Sequence, residues 1–397
     1  MNKRILALLL ALVMLASLMT GCASGQTETA APETAQTETA PEQTAEEAAP
    51  AEEPAAEEAS SAEETAPETV EFTDSLGRTV TLPAELTRIA PSGAVATMML
   101  AAIAPECMVT VNATPSESQM AFLPANLAAL PETGQMYGSK ADLNLETLLS
   151  ADPQVVIDLG DKKGDMAADL DALQEQIGIP VIFLEADLPH MAAAFRALGG
   201  LLSGKADRGE ALADLVDRTT AMAAENSAKI TDDMRVRAMY TTGEDGLGTN
   251  AAGSTQAQVL DMVGVENAVV VEDVTNKGGG NIISLEQLYN FDPDVILFAT
   301  NSIYDTVAGD PAWAQLTAIS TGSYYEVPGS PYNWLSGPPS MNMILGVWWL
   351  GNLVYPEIYD YDMSAMTQEI YKTLWNYDLT ADETAALLAN STLKAAQ

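Results

Sequence analysis

The side chains best suited to catalysis or metal binding are few. The 397 residues hold one histidine, His190, and two cysteines, Cys22 and Cys107. That stock excludes a Cys/His structural zinc cluster and a disulfide scaffold. A Ser-His-Asp or Cys-His centre would have to be built on His190 alone. His190 follows Glu185 and Asp187 near an expected helix start. It suits either a surface position or a weak metal or chelate contact, since one imidazole does not make the usual multi-His site. Gly278-Gly279-Gly280 offers backbone N–H groups but no following Gly-Lys-Ser/Thr, so it is not a P-loop, and no G-x-G-x-x-G occurs. Cys107, alone in the body, reads as a buried structural thiol.

Charge narrows the partners. Against 56 acids stand 17 bases, a formal charge of −39. Nonspecific nucleic-acid binding rests on Lys and Arg neutralising phosphates, so no nucleic-acid partner is expected. The scarce lysines are unevenly placed. Lys140, Lys162, Lys163 and Lys277 all fall in polar loop segments. They could give an anionic ligand a local positive lining, or simply solvate turns.

The elements that would position these residues are short apolar runs alternating with helical patterns. Strands are expected at 88–90, 108–111, 155–159 and 181–185, then at 236–241, 268–271, 295–299 and 324–327. An opening hairpin is expected around Asp74-Ser75-Leu76-Gly77. Short, continuously apolar strands separated by helices imply parallel α/β sheets, here in two groups and therefore two lobes. An internal repeat supports the division. LNLETLLSADPQVVI at 143–157 matches ISLEQLYNFDPDVIL at 283–297 in six of fifteen positions. Each copy reads as a helix capped by Asn144 or Ser284, an Asp-Pro stop and a buried strand. Residues 205–229 read as one long helix between the lobes, about 36 Å for roughly 24 residues. The apolar stretch 343–355 is too short to span a membrane and reads as a core helix.

In open α/β sheets ligands sit beyond the carboxyl ends of the strands. That rule nominates Pro91-Ser92-Gly93, Met136–Lys140, Gly160–Lys163, Thr242–Asp245, Lys277–Asn281 and Thr300–Ser302, and with them Ser92, Tyr137 and Asn301 as cleft candidates.

Residues 1–22 carry Lys3 and Arg4, an apolar run and a small-residue approach to Cys22. This resembles a bacterial lipoprotein signal, which implies lipidation of Cys22 and a membrane anchor without a span. Residues 23–70 contain thirteen Glu, no Lys or Arg, and almost nothing large to bury. They read as a disordered tether, about 40 Å r.m.s. as a flexible coil. Removing +2 for the leader and −13 for the tether leaves −28 on the body. The expected organisation is signal 1–22, tether 23–70, N-terminal lobe 71–204, connecting helix 205–229 and C-terminal lobe 230–397.

FTDSLGRTVTLP followed by RIA, the two L-E-x-L…D-P-x-V modules, DGLGTNAAGS with VLDMVGVENAV, and DPAWAQL with YYEVPGSPYNW are, in this order, similar to the ABC-transporter substrate-binding proteins of the iron-siderophore, haem and cobalamin class. The resemblance covers nearly all of 71–378. It implies two Rossmann-like lobes joined by a single long α-helix, a ligand cleft between them, no enzymatic activity, no cofactor and a monomer. It also implies an extracytoplasmic, lipid-anchored importer component that carries an iron-siderophore or related metal chelate to permease subunits. Haem or cobalamin binding, or a sensor that has lost transport, are the alternatives on the same fold.

Residue by residue, the resemblance implies that Glu146 and Glu286 dock on permease arginines, one per lobe. It places Tyr332 and Trp334 on the ligand. Tyr137 stands where resembling haem binders ligate iron, or it packs as a cleft aromatic. Ser336-Gly337-Pro338-Pro339 replaces an Asp-Arg-Pro-Pro of some relatives. Thr255-Gln256 follows Gly253-Ser254 where metal-chelate relatives place a His, which argues against His-based ligation.

Overall fold

The computed structural model describes residues 69–138, 142–276 and 279–393. The leader, the tether up to residue 68, Cys22, Lys140 and Lys277 lie outside the described residues.

The body begins with an antiparallel hairpin, β1 (Thr69–Thr73) and β2 (Thr79–Pro83). Asp74 makes the turn. Its Oδ1 accepts from the N–H groups of Leu76 and Arg78 at 2.9 and 3.0 Å, and its Oδ2 accepts from Arg78 Nη1 at 2.9 Å. Gly77 supplies the φ of +81° that closes it. The Ser75 N–H donates to the Phe183 carbonyl at 2.9 Å, fixing the hairpin to the first sheet.

That sheet is parallel, in the order β3 (Ile89–Pro91), β4 (Val155–Gly160), β5 (Val181–Glu185). Its helices are α1 (Ala94–Ile103), α2 (Leu145–Ser150), α3 (Met166–Ile177) and α4 (Met191–Leu201). The helix α5 (Ala206–Ser227) follows and lies between the two sheets in the chain. It packs closely on α4 because Gly209 faces Gly199. A Cβ on Gly209 would stand 2.6 Å from the Phe195 carbonyl oxygen.

The second sheet holds β6 (Arg237–Thr242), β7 (Gly248–Thr249), β8 (Glu266–Asn267), β9 (Asn281–Ile282), β10 (Val295–Phe298) and β11 (Tyr324–Glu326). Its path is β11-β10-β6-β7-β9, with β8 also on β6. The pairs β10–β11, β10–β6 and β6–β8 are parallel, and the β7 pairs are antiparallel. Helices α6 (Gln258–Met262), α7 (Leu285–Phe291), α8 (Met343–Val354), α9 (Met363–Trp375) and α10 (Ala381–Leu388) belong to this half, with one further short helix at Thr317–Thr321. α8 is buried along nearly its whole length, the pattern of a helix that is apolar on every side.

The repeat has a structural counterpart. α2 and α7 are each followed by an aspartate with positive φ, Asp152 at 49° and Asp292 at 33°. Each halts its helix beside an arginine at the start of a sheet strand, Arg88 just before β3 and Arg237 at the first position of β6. Arg88 Nε donates to the Asp152 carbonyl at 2.7 Å, and Arg237 Nη1 donates to the Asp292 carbonyl at 3.3 Å.

Three expectations need correction. At 108–111 there is no strand. Met108 and Val111 each make a single bridge, to Ile89 and Glu132. Residues 268–271 follow the strand instead of forming it, because β8 pairs with β6 only through Glu266 and Asn267. Cys107 is half-buried in a 3-10 turn, not enclosed, and burial together with Glu106 pushes its thiol pKa up.

One core runs through both lobes. It takes Ile89, Ile157 and Leu184 from the first sheet, Leu212, Leu215 and Val216 from α5, Tyr240 and Leu297 from the second sheet, and Val327 just beyond β11. Each sheet covers its other face with a separate cluster.

Candidate functional site

β4 reads VVIDLG, with burial on both faces. Val155, Ile157 and Leu159 point into the shared core, and Val156 into the outer cluster. Period-two alternation puts Asp158 on the Val156 face, at the carboxyl end of the strand. Its neighbour in the sheet is Ser92, the residue after β3, whose N–H donates to the Ile157 carbonyl at 3.1 Å. The Ser92 Oγ donates to Asp158 Oδ1 in a short hydrogen bond. The Ser92 carbonyl accepts from the Met136 N–H at 2.8 Å and draws the 135–138 loop over the strand ends.

Those strand ends form one wall of a cleft of about 330 Å³. Ser92, Tyr137, Asp158, Asp161 and Lys163 line it from the first lobe. Thr255, Gln256, Asn276 and the Gly337-Pro338-Pro339 turn line it from the other side. The first-lobe wall is ionic and phenolic, and the facing wall is neutral.

The electrostatics follow from burial. Asp158 is only 6% exposed. Desolvation raises its pKa to about 6, against the opposing pull of the Ser92 hydrogen bond and the Lys163 charge. Asp161 is also pushed up by burial; Lys163 opposes the shift, and Asp187 and Glu185 add to it. Lys163 Nζ lies 5.6 Å from the centre of the Tyr137 ring, a cation–π contact. The Tyr137 hydroxyl is buried and has no hydrogen-bond partner among the described residues. Burial, then Asp158 and Asp169, hold this phenol well above its ordinary range. The site therefore offers one ammonium, one unpaired phenol and two carboxyls, Asp158 and Asp161, both pushed up by burial. It can bind a polar ligand. His190 does not line it, so no imidazole stands beside Ser92.

The structure separates the remaining sequence candidates. Ser92 and Tyr137 come together in the cleft. Lys162 is exposed and does not line it; its neighbour Lys163 does. Asn301 is exposed in a left-handed turn beyond β10. Tyr332 is half-buried against the shared core. Trp334 is fully buried, so it cannot stack on a ligand: its ring meets that of Trp349 edge-on at 6.5 Å. Glu146 and Glu286 are both exposed, each the second residue of its helix. Their caps form as expected, Asn144 Oδ1 accepting from the Thr147 N–H at 3.0 Å and Ser284 Oγ from the Gln287 N–H at 3.2 Å. Asp158 escaped the sequence reading, although its signal was there: one acid inside an otherwise apolar strand. Thr255-Gln256 was marked only as the place where metal-chelate relatives carry a His, and Asn276 carried no mark.

Two lobes, one with a parallel and one with a mixed sheet, a helix between them in the chain and a polar cleft at the strand ends give the architecture of a bilobed solute-binding protein. The chain belongs to the periplasmic binding protein family, whose model matches residues 92–331. It is similar to the ABC transporter solute binding protein from Sulfurospirillum deleyianum DSM 6946, 27% identical, with a TM-score of 0.74 over 80% of this chain and 99% of that one. It shares its fold with the molybdate periplasmic binding protein MolA of Haemophilus influenzae, 19% identical, with a TM-score of 0.64 over 78% of this chain and 99% of that one. Among curated proteins it is 22% identical over 192 residues to the Fe(3+)-citrate-binding protein YfmC of Bacillus subtilis (strain 168). That match spans 48% of this chain and 58% of the relative's length. The protein is thus an extracytoplasmic solute-binding protein of the ABC-transporter kind, a family of binding proteins and not of enzymes. Among the described residues no helix is long and apolar enough to cross a membrane.

Proposed function

We propose that this protein captures a compact, anionic metal chelate of the ferric-citrate or ferric-siderophore kind and delivers it to its permease while held to the membrane by a lipid on Cys22. The observation that carries this reading is the one-sided cleft, where Lys163 and the unpaired Tyr137 hydroxyl stand beside Asp158 and Asp161, two carboxyls whose pKa burial raises, and face neutral side chains. The Fe(3+)-citrate-binding relative supports it. A cleft of about 330 Å³ sits near the small end of the usual ligand-site range of roughly 300–1,000 Å³. That favours a compact chelate over a tetrapyrrole or cobalamin.

Docking falls to Glu146 and Glu286, exposed carboxylates at equivalent places in the two lobes, free to meet permease arginines without prior burial.

The full chain should retain one equivalent of ferric citrate or a ferric siderophore in native mass spectrometry, with the chelate recovered unchanged. Retention of haem or cobalamin alone, or conversion of the bound chelate, would refute the proposal. Replacing both Glu146 and Glu286 by Lys should abolish uptake and leave chelate affinity intact. Uptake that survives would move docking elsewhere.

A further inference from the structure

Beyond the cleft, at the end of β5, the chain places its one imidazole among carboxylates. Among the described residues, Glu185, Asp187 and His190 are the one group of three metal-ligating side chains whose donor atoms all lie within 4.8 Å of one another. His190 Nδ1 is 2.5 Å from Asp187 Oδ1 and 3.9 Å from Glu185 Oε1. Donors on one tetrahedral ion with bonds of about 2.0–2.1 Å stand about 3.4 Å apart, so a small rotation of Glu185 and His190 brings the three into one coordination sphere.

Three features set this group apart from an ordinary acidic surface. First, its donors are mixed. An imidazole with two carboxylates suits a borderline divalent ion, whereas an all-oxygen patch suits Mg²⁺ or Ca²⁺. Second, the Asp187 carboxylate and the backbone that carries Glu185 are held in place. The side chains of Glu185 and Asp187 are 26% and 22% exposed, while that of His190 is 52% exposed and gives access from solvent. Asp187 is anchored in the turn that starts α4, accepting the His190 N–H at Oδ1 at 3.2 Å. The Glu185 N–H donates to Ser75 Oγ at 3.0 Å, fixing the end of the strand. Third, the negative charge here is in excess. Asp161, half-buried at the edge of the cleft, feels both Asp187 and Glu185, and the base that opposes them is Lys163, whose charge also serves Asp158.

We infer that Glu185, Asp187 and His190 form an accessory site for a borderline divalent cation such as Zn²⁺, Co²⁺ or Ni²⁺, separate from the chelate cleft. The site is open, with three protein donors and the remaining positions left to water. It does not depend on the identity of the chelate.

The test is calorimetric titration of the metal-stripped full chain with Zn²⁺, paired with Co²⁺ titration followed by visible absorption. The expected result is one equivalent of Zn²⁺ and a Co²⁺ spectrum of low coordination number. His190→Ala and Glu185→Gln should each weaken Zn²⁺ binding at least as much as loss of an outer-shell partner does, about 10–100-fold. Both positions have exposed or half-exposed side chains, and melting curves without metal should overlay the wild type. Tyr137→Phe and Asp158→Asn should leave Zn²⁺ binding unchanged. Wild-type affinity in His190→Ala would overturn the site, as would loss of binding in Tyr137→Phe or Asp158→Asn, which would place the ion in the cleft. Binding of several weak equivalents insensitive to every substitution would mean adventitious surface binding only.

Discussion

The two lobes use one scaffold for opposite purposes at the same place. The repeat aligns β4 with β10, and the sheet registers agree. Asp158 stands opposite Phe183 in β5 and beside Ser92, while Phe298 stands opposite Glu326 in β11 and beside Thr241. In the first lobe the strand end is therefore a hydrogen-bonded serine–carboxyl pair, open to the cleft. In the second it is an aromatic plug: Phe298 packs against Trp313, Tyr304 and Tyr324 at centroid distances of 5.5, 6.2 and 6.3 Å. The charged side chains of the cleft thus come from one lobe. The other lobe keeps the fold and contributes a neutral wall.

Breaking the plug should have the largest effect. Phe298→Asp removes a fully buried ring and leaves a carboxyl among aromatic residues with no base beside it. The expected loss is at least about 3–5 kcal/mol, read as a lower urea midpoint. A wild-type midpoint would mean that the two positions are not equivalent in burial.

The mirror change should stabilise. The Asp158 pKa lies at about 6 in the folded protein and near 3.8 in the unfolded chain. The native state therefore holds the proton more tightly, and stability falls as pH rises from about 4 through 6. Asp158→Asn should remove that slope and raise stability at pH 7 by up to about 3 kcal/mol. Melting temperatures measured from pH 4 to 7 decide this; an unchanged slope would mean that another group carries it.

Tyr137→Phe removes a buried hydroxyl without a partner. It should be neutral or stabilising by up to about 1 kcal/mol in the free protein, yet weaken ferric-chelate binding about tenfold. Equal affinity would leave the ring, not the hydroxyl, as the useful part.

The smallest effect should come from Thr241→Val. The Thr241 Oγ1 is buried without a hydrogen-bond partner. The substitution should stay within about 1 kcal/mol of wild type and leave binding untouched. The contrast with a disruptive Ser92→Val would sharpen the distinction between the lobes.

Much of this architecture was legible in the chain. Short apolar strands, the capped L-E-x-L helices and the Asp-Pro stops are local signals, and each leads to the element it suggests. What failed was non-local. Residues 268–271 look like a strand, but β6 offers β8 partners only at Glu266 and Asn267. Trp334 looks like a ligand-stacking residue because it lies in a Pro/Gly-rich loop. Its burial depends on α8, where Gly346 admits the Trp334 carbonyl so closely that a Cβ would stand 2.1 Å from it. Asp158 was hidden by the strength of the strand pattern around it.

The core that passes from Ile157 through Leu212 and Leu215 to Leu297 makes this protein indivisible. The sequence looks like two copies of a module, but a gene cut on either side of α5 would yield two halves, each with a raw apolar flank. Neither half could serve as a stand-alone binding domain. Chimeras that exchange one lobe between relatives would have to carry α5 and α8 along as a common spine.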